Sequence, residues 1–202
     1  MAEQAPGLPG SGEKIIVVFF GLTASGKSTL GQAWARAWGA SYHNTDRVRK
    51  ELAGLAPTAR RPDEVAGGIY SADFTDRTYG AMLARAEEDF AQGYGMVVLD
   101  GSYSRRRDRD QVREVARRLG GRGVFVFCTC SAAEVQRRLE RRAGDPEAVS
   151  DGRWEIYQHQ LATFERVDAG TEGEEITLDT EQEVEGMVHW LAAHPLFRAG
   201  GQ

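Results

Sequence analysis

Apolar residues in this chain come in short unbroken runs rather than in alternation. IIVVFF (15–20) is the strongest, followed by GMVVLD (95–100) and VFVFCT (124–129). Runs this short, rich in β-branched and aromatic residues, predict strands covered on both faces. ASYHN (40–44) and EEITLD (174–179) are weaker strand candidates. Between the runs, apolar positions recur at helical spacing in residues 27–38, 72–92, 108–119, 131–143, 153–166 and 181–193. Ser131 with Glu134, and Thr180 with Glu183, have the spacing of capping boxes at two helix starts. Strands alternating with helices predict an α/β fold with a parallel sheet and right-handed crossovers. Trp34, Trp38, Trp154 and Trp190 fall at helical core spacing and read as packing.

The polar stretches divide the chain further. Residues 1–13 are rich in Gly and Pro, lack the apolar core of a secretory signal and read as a flexible tail before one domain, 14–202. Residues 54–70 and 143–152 fit neither period and read as surface connections or flaps over a site. No apolar run approaches the roughly 20 residues that cross a bilayer, which predicts a protein without a membrane span.

Composition adds two points. A net charge of −5 argues against a broad duplex-DNA surface. Of 25 basic residues only Lys14, Lys27 and Lys50 are lysines, so Lys27 marks a place where a compact ammonium was kept. Cys128 and Cys130 lie two apart on a predicted strand, poorly placed to bridge and without further metal ligands nearby. They read as reduced thiols of a cytoplasmic protein.

GLTASGKS (21–28) follows the strongest strand and opens the first helix. It fits G-x-x-x-x-G-K-[ST], whose parts each have a physical task. Gly21 and Gly26 allow the tight turn, and the backbone N–H groups of Thr23, Ala24, Ser25 and Gly26 can approach anionic oxygens. The helix directs its positive end at the same place. Lys27 can reach β- and γ-phosphates, the Ser28 hydroxyl can bind Mg²⁺, and Thr29 is an α-phosphate candidate. The third glycine of a dinucleotide fingerprint is absent.

Other residues must decide the chemistry. Asp100 ends the run VVLD, where a P-loop protein places its second metal-organising carboxylate; the alternative is a loop cap before Gly101. Asp46 and Arg49 lie three apart after the second predicted strand, at the ligand-facing edge of a parallel sheet. A carboxylate there can take the proton of an attacking hydroxyl while the arginine clamps the acceptor. Alternatively Asp46 caps a helix and pairs with Arg49. Arg138 and Arg142 share a helix face leading into the second irregular segment, as charge-neutralising arginines or as a solvated face. Arg105, Arg106 or Arg107 can bind an anionic acceptor, with Arg77 and Tyr70 weaker candidates and His43 read as structural.

These stretches resemble a known group. GLTASGKSTL, the D-x-x-R of TDRVRKELAGLAPT, GIYSADFTDRTY, VVLDGSY, RRLERR and the late SDGRW…Y…Q…FE pattern are similar to the small P-loop kinases called AAA-family ATPases or zeta-toxin-like. That domain is also found fused to aminoglycoside-phosphotransferase-like kinases. More distant similarity runs to polynucleotide 5′-kinases, adenylylsulfate kinases and chloramphenicol phosphotransferases. The resemblance covers residues 15 to about 180. It implies a nucleoside-kinase-like fold of five parallel strands with the P-loop strand central, and a small lid at about 139–153. It also implies ATP, Mg²⁺ and phosphoryl transfer to a hydroxyl, with Lys27, Asp46, Arg49, Arg138 and Arg142 carrying the chemistry and Ser28 and Asp100 the metal. Asp100–Gly101–Ser102 stands where relatives commonly read Asp-Ala-Thr, which leaves the acceptor pocket open.

The leading expectation is thus an ATP-dependent kinase, monomeric or homodimeric, acting on a small molecule, a nucleotide sugar or, less favoured, a nucleic-acid 5′ end. The rivals are a nucleotide hydrolase or switch and a non-catalytic ATP-binding module. A guanine-reading N-K-x-D is absent, which counts against a GTPase.

Overall fold

The computed structural model describes residues 13–59, 67–144, 149, 152–167 and 175–197. Five strands, β1 (Ile15–Phe20), β2 (Ser41–Asn44), β3 (Met96–Gly101), β4 (Arg122–Thr129) and β5 (Glu175–Asp179), form one sheet in the order β2-β3-β1-β4-β5. Every neighbouring pair is parallel. The helices are α1 (Lys27–Trp38), α2 (Thr45–Leu52), α3 (Ala72–Ala91), α4 (Arg106–Arg118), α5 (Ala132–Ala143), α6 (Trp154–Thr163) and α7 (Val184–Ala193). The sheet class, its direction and the central P-loop strand are as the sequence predicts.

β1 explains why the core has two halves. All six of its side chains are fully buried, and alternate ones face opposite sides of the sheet. Ile15, Val17 and Phe19 join Trp34 and Trp38 of α1 and Met187 and Leu191 of α7. Ile16, Val18 and Phe20 join Met82 and Ala86 of α3 and Val112 and Ala116 of α4. Covering both faces is what turns a strand into a continuous apolar run.

The differences from expectation have local causes. α2 is a full helix over a segment read only as one helical turn. It is capped by Asn44, whose side chain accepts from the Arg47 N–H at 3.1 Å, so Asp46 is not the cap. α6 stops at Thr163 because the next residues serve other elements. Phe164 stacks on Phe127 at 5.2 Å, and the Glu165 N–H donates to Ser104 O at 2.9 Å. α7 begins only at Val184, because Thr180 spends its hydroxyl on Ser25 O (2.7 Å) and Thr129 O (3.0 Å) rather than on a cap. Ser131 does cap α5 through the Glu134 N–H, while Glu134 turns its carboxylate to Arg137 and Arg138. Trp190 is half-exposed and stacks on His194 instead of entering the core. Residues 139–143 of the expected lid lie in α5; residues 145–148 and 150–151 of it, 60–66 of the first irregular segment and 1–12 of the tail are outside the described residues.

Gly21 ends β1 at φ +142°, and a Cβ there would stand 2.4 Å from Cys128 O on β4. Gly21→Ala must therefore both strain its own backbone and push β4 away. It should cost about 2 kcal/mol or more, read as a lower urea midpoint. An unchanged midpoint would show that this turn has slack.

Candidate active site

The loop between β1 and α1 is shaped for an anion. Ala24 and Gly26 adopt left-handed backbone, at φ +59° and +84°. α1 begins at Lys27 with no side-chain cap and no acidic residue in its first turn. Its orphan N–H groups and positive dipole end are therefore left for a ligand. The Lys27 ammonium lies across the loop, donating to Leu22 O at 3.0 Å.

The loop is braced from outside. Arg138 on α5 donates to Ala24 O (3.1 Å), to Thr180 O (2.7 Å) and to Thr180 Oγ1 (3.1 Å), and its Nε donates to Glu134 (2.7 Å). Thr180, just beyond β5, closes the ring by donating to Ser25 O. A Cβ on Gly26 would meet Thr180 Oγ1 at 2.8 Å and Arg138 Nη1 at 2.9 Å, so only glycine fits under this clamp. Beside it opens a cavity of about 450 Å³, lined by Gly26, Thr29, Arg138, Arg142, Gln182 and Val184 among others. That volume is in the range of small-molecule sites.

The two arginines of α5 thus have different surroundings. Arg138 is committed to the loop and to β5. Arg142, one turn on, is half-buried; burial draws its guanidinium below the ordinary value, and the charges of Asp46 and, more weakly, Asp100 pull it back. Arg142, Asp46 and Asp100 share one electrostatic neighbourhood.

Asp100 is fully buried at the end of β3. Both Tyr42 OH (2.5 Å) and Asn44 Nδ2 (2.6 Å) donate to its Oδ2, while Oδ1 has no partner among the described residues. Burial and the adjoining carboxylate push the Tyr42 phenol well above its ordinary value, so it stays a donor. An orphaned buried carboxylate oxygen, paired in register with Phe19 on the strand that leads into the loop, suits a hard cation with few protein ligands. Among the described residues no three His, Cys, Asp or Glu side chains form a metal cage.

On the opposite flank, Arg49 is buried and donates from Nη1 to Ile69 O (2.6 Å) and Thr75 Oγ1 (3.2 Å), with Tyr70 under its guanidinium at 5.0 Å. Lys50 beside it is fully buried and donates to Pro57 O (3.2 Å) and Val149 O (2.6 Å), tying α2 to two connecting segments. The three arginines after β3 face carboxylates: Arg105 and Arg107 bridge Asp76 and Asp108, and Arg106 faces Asp110 at 3.5 Å. Arg77 is exposed and lies over Phe74, and His43 points away from Asp100 to Asp89 at 2.6 Å.

Tyr42, Asn44, the buried contacts of Lys50 and the loop contact of Gln160 went unread in the sequence, and Thr180 was read only as a helix cap. Period-two alternation in β2, which sets Tyr42 and Asn44 on one face beside the end of β3, was the available signal for the first two.

A family model described as AAA domain matches residues 16–167. The chain belongs to the AAA domain family. It is 29% identical over 136 residues to an uncharacterized protein of Mycobacterium tuberculosis, covering 65% of this chain and 26% of that protein. This AAA domain chain therefore spans about a quarter of the length of the curated relatives it matches. Among solved structures it is similar to a sugar kinase from Janibacter sp. (TM-score 0.63, 20% identity, 93% of this chain and 99% of that one). It is similar also to a gluconokinase from Sinorhizobium meliloti (0.57, 25%, 88% and 87%). A third likeness is to the Mycobacterium tuberculosis APS kinase in complex with AMPPNP and APS (0.56, 19%, 89% and 95%). The fold of this AAA domain is thus that of small P-loop kinases.

The clamp has a titrating member. Hydrogen bonds from Arg137 and then Arg138 hold the Glu134 carboxyl down to about 2. A depressed carboxylate contributes stability above the ordinary carboxylate range and loses it only as pH falls through the folded value. NMR titration of Glu134 should give a midpoint of about 2, and a midpoint at the ordinary 4.5 would mean that its bridges to Arg137 and Arg138 within α5 do not form.

Proposed function

We propose that this chain is an ATP-dependent kinase that transfers the γ-phosphoryl group to a hydroxyl of a small molecule. The carrying observation is the braced left-handed loop with Lys27 across it, beside a cavity lined by Gly26, Thr29, Arg138 and Arg142. The kinase names of its structural neighbours, gluconokinase at 25% identity among them, support the same reading.

In this reading the loop amides of Ala24 to Ser28 hold the triphosphate and Thr29 stands near its inner phosphate. Lys27 spans β- and γ-oxygens. Asp46 accepts the hydroxyl proton as the acceptor oxygen bonds to phosphorus and the bond to the ADP oxygen breaks. Arg142 offsets charge on the transferring group, and Arg49, fixed by Ile69 O and Tyr70, steadies the acceptor side. Arg138 contributes by holding the loop. Ser28 and the free Oδ1 of Asp100 would hold Mg²⁺, whose chemistry is to draw charge from the phosphate oxygens. Because Arg105, Arg106 and Arg107 already face carboxylates, a nucleic-acid backbone finds little unpaired charge there.

γ-Labelled ATP offered with polyols, sugar acids, nucleosides and a 5′-hydroxyl oligonucleotide should place label on one acceptor class. Lys27→Ala should lower transfer by about 10³-fold or more. Asp46→Asn should lower kcat by about 10²–10⁴-fold while nucleotide affinity stays near the parent's. Label released only as inorganic phosphate with every acceptor would favour a hydrolase, and full turnover by Lys27→Ala would remove the mechanism.

A further inference from the structure

The late sequence pattern WEIYQHQ, which the mechanism above leaves unused, docks α6 on the phosphate loop. Trp154, Tyr157 and Gln160 recur every three residues and form one stripe. Trp154 stacks on Tyr157 at 5.0 Å, and the pair packs with Leu22 and Ala24 of the loop. Gln160 then reaches further: its Oε1 accepts the Thr23 N–H at 2.7 Å.

Two facts make this contact more than docking. The Thr23 N–H belongs to the same peptide group as Leu22 O, which accepts from the Lys27 ammonium. One peptide plane is therefore held at both ends, by the ammonium that spans β- and γ-phosphates and by Gln160. The second fact is the choice of a neutral acceptor. Carboxylates take two other N–H groups in this chain, Glu181 that of Ser131 at 2.7 Å and Glu165 that of Arg106 at 2.6 Å, whereas the Asn44 carboxamide accepts the Arg47 N–H at 3.1 Å and donates from Nδ2 to buried Asp100 at 2.6 Å. A carboxylate would hold Thr23 more strongly as well. A carboxamide is preferable only where a negative charge must be tolerated alongside, and its Nε2 end can donate to that charge.

We propose that Gln160 is a positioning residue for the terminal phosphoryl group. It sets the Leu22–Thr23 peptide, and through it Lys27, and it makes the site discriminate a nucleoside triphosphate from a diphosphate. The proposal rests on the kinase reading above.

Calorimetry with the full chain, Mg²⁺ and either a non-hydrolysable ATP analogue or ADP tests it. Gln160→Glu keeps an acceptor for Thr23 but adds charge. It should weaken the analogue about tenfold or more while ADP changes less than about twofold. Gln160→Ala should lower kcat about tenfold to a hundredfold, with the KM of the acceptor near the parent's. If both variants leave the analogue-to-ADP affinity ratio and kcat at parental values, or weaken both nucleotides equally, Gln160 only docks α6 and the proposal fails while the kinase reading stands. If the parent binds neither nucleotide, the kinase reading falls and takes this proposal with it.

Discussion

Neutral backbone amides can grip a highly charged anion only if the loop that carries them is held open before the anion arrives. Here that constraint is met from outside the loop. Ala24 sits in a left-handed conformation that a side-chain-bearing residue rarely adopts, and its carbonyl is held by Arg138. Ser25 O is held by Thr180, and the Cys128 carbonyl approaches Gly21 so closely that no Cβ fits. The braces come from β4, β5 and α5, three elements distant in sequence. Much of the sheet's order serves to bring their ends to one point.

The same order separates two kinds of work. The clamp, the cavity and α6 lie with β4, β5 and α5, where neutral contacts and committed arginines fix geometry. Asp100, Asp46 and Arg49 come from the β2–β3 side, where the buried Asp100 accepts from Tyr42 and Asn44 and the buried Arg49 donates to Ile69 O and Thr75. Arg142 on the first side feels the charge of Asp46 and, more weakly, of Asp100 on the second. The basic run after β3 is balanced by Asp76, Asp108 and Asp110. A site arranged this way would separate a held group from a moving one, as the proposed phosphoryl transfer requires.

How much of this was legible follows from what each residue packs against. β1 was read to the residue because burial on both faces leaves an unbroken apolar run. α2 was read as a helix only in the alternative that has Asp46 as its cap, because its only buried apolar residue is Val48; its burial comes also from Thr45, Arg49 and Lys50. The loop motif carried its own context, a strand before it and a helix after it. Thr180 misled, because a threonine three residues before a glutamate looks like a cap until the carbonyls of Ser25 and Thr129 compete for its hydroxyl. Arg138 and Arg142 looked equivalent at helical spacing. Only the position of β5 separates them, since the end of that strand gives Arg138 its partners.

The most direct measurement is a crystal structure with a non-hydrolysable ATP analogue and Mg²⁺ bound. The account predicts the triphosphate along the Ala24–Ser28 amides, with its terminal phosphorus between the Lys27 ammonium and the Asp46 carboxylate and the base in the cavity beside Arg138. An analogue seated elsewhere, or one whose terminal phosphorus turns away from Asp46, would contradict it.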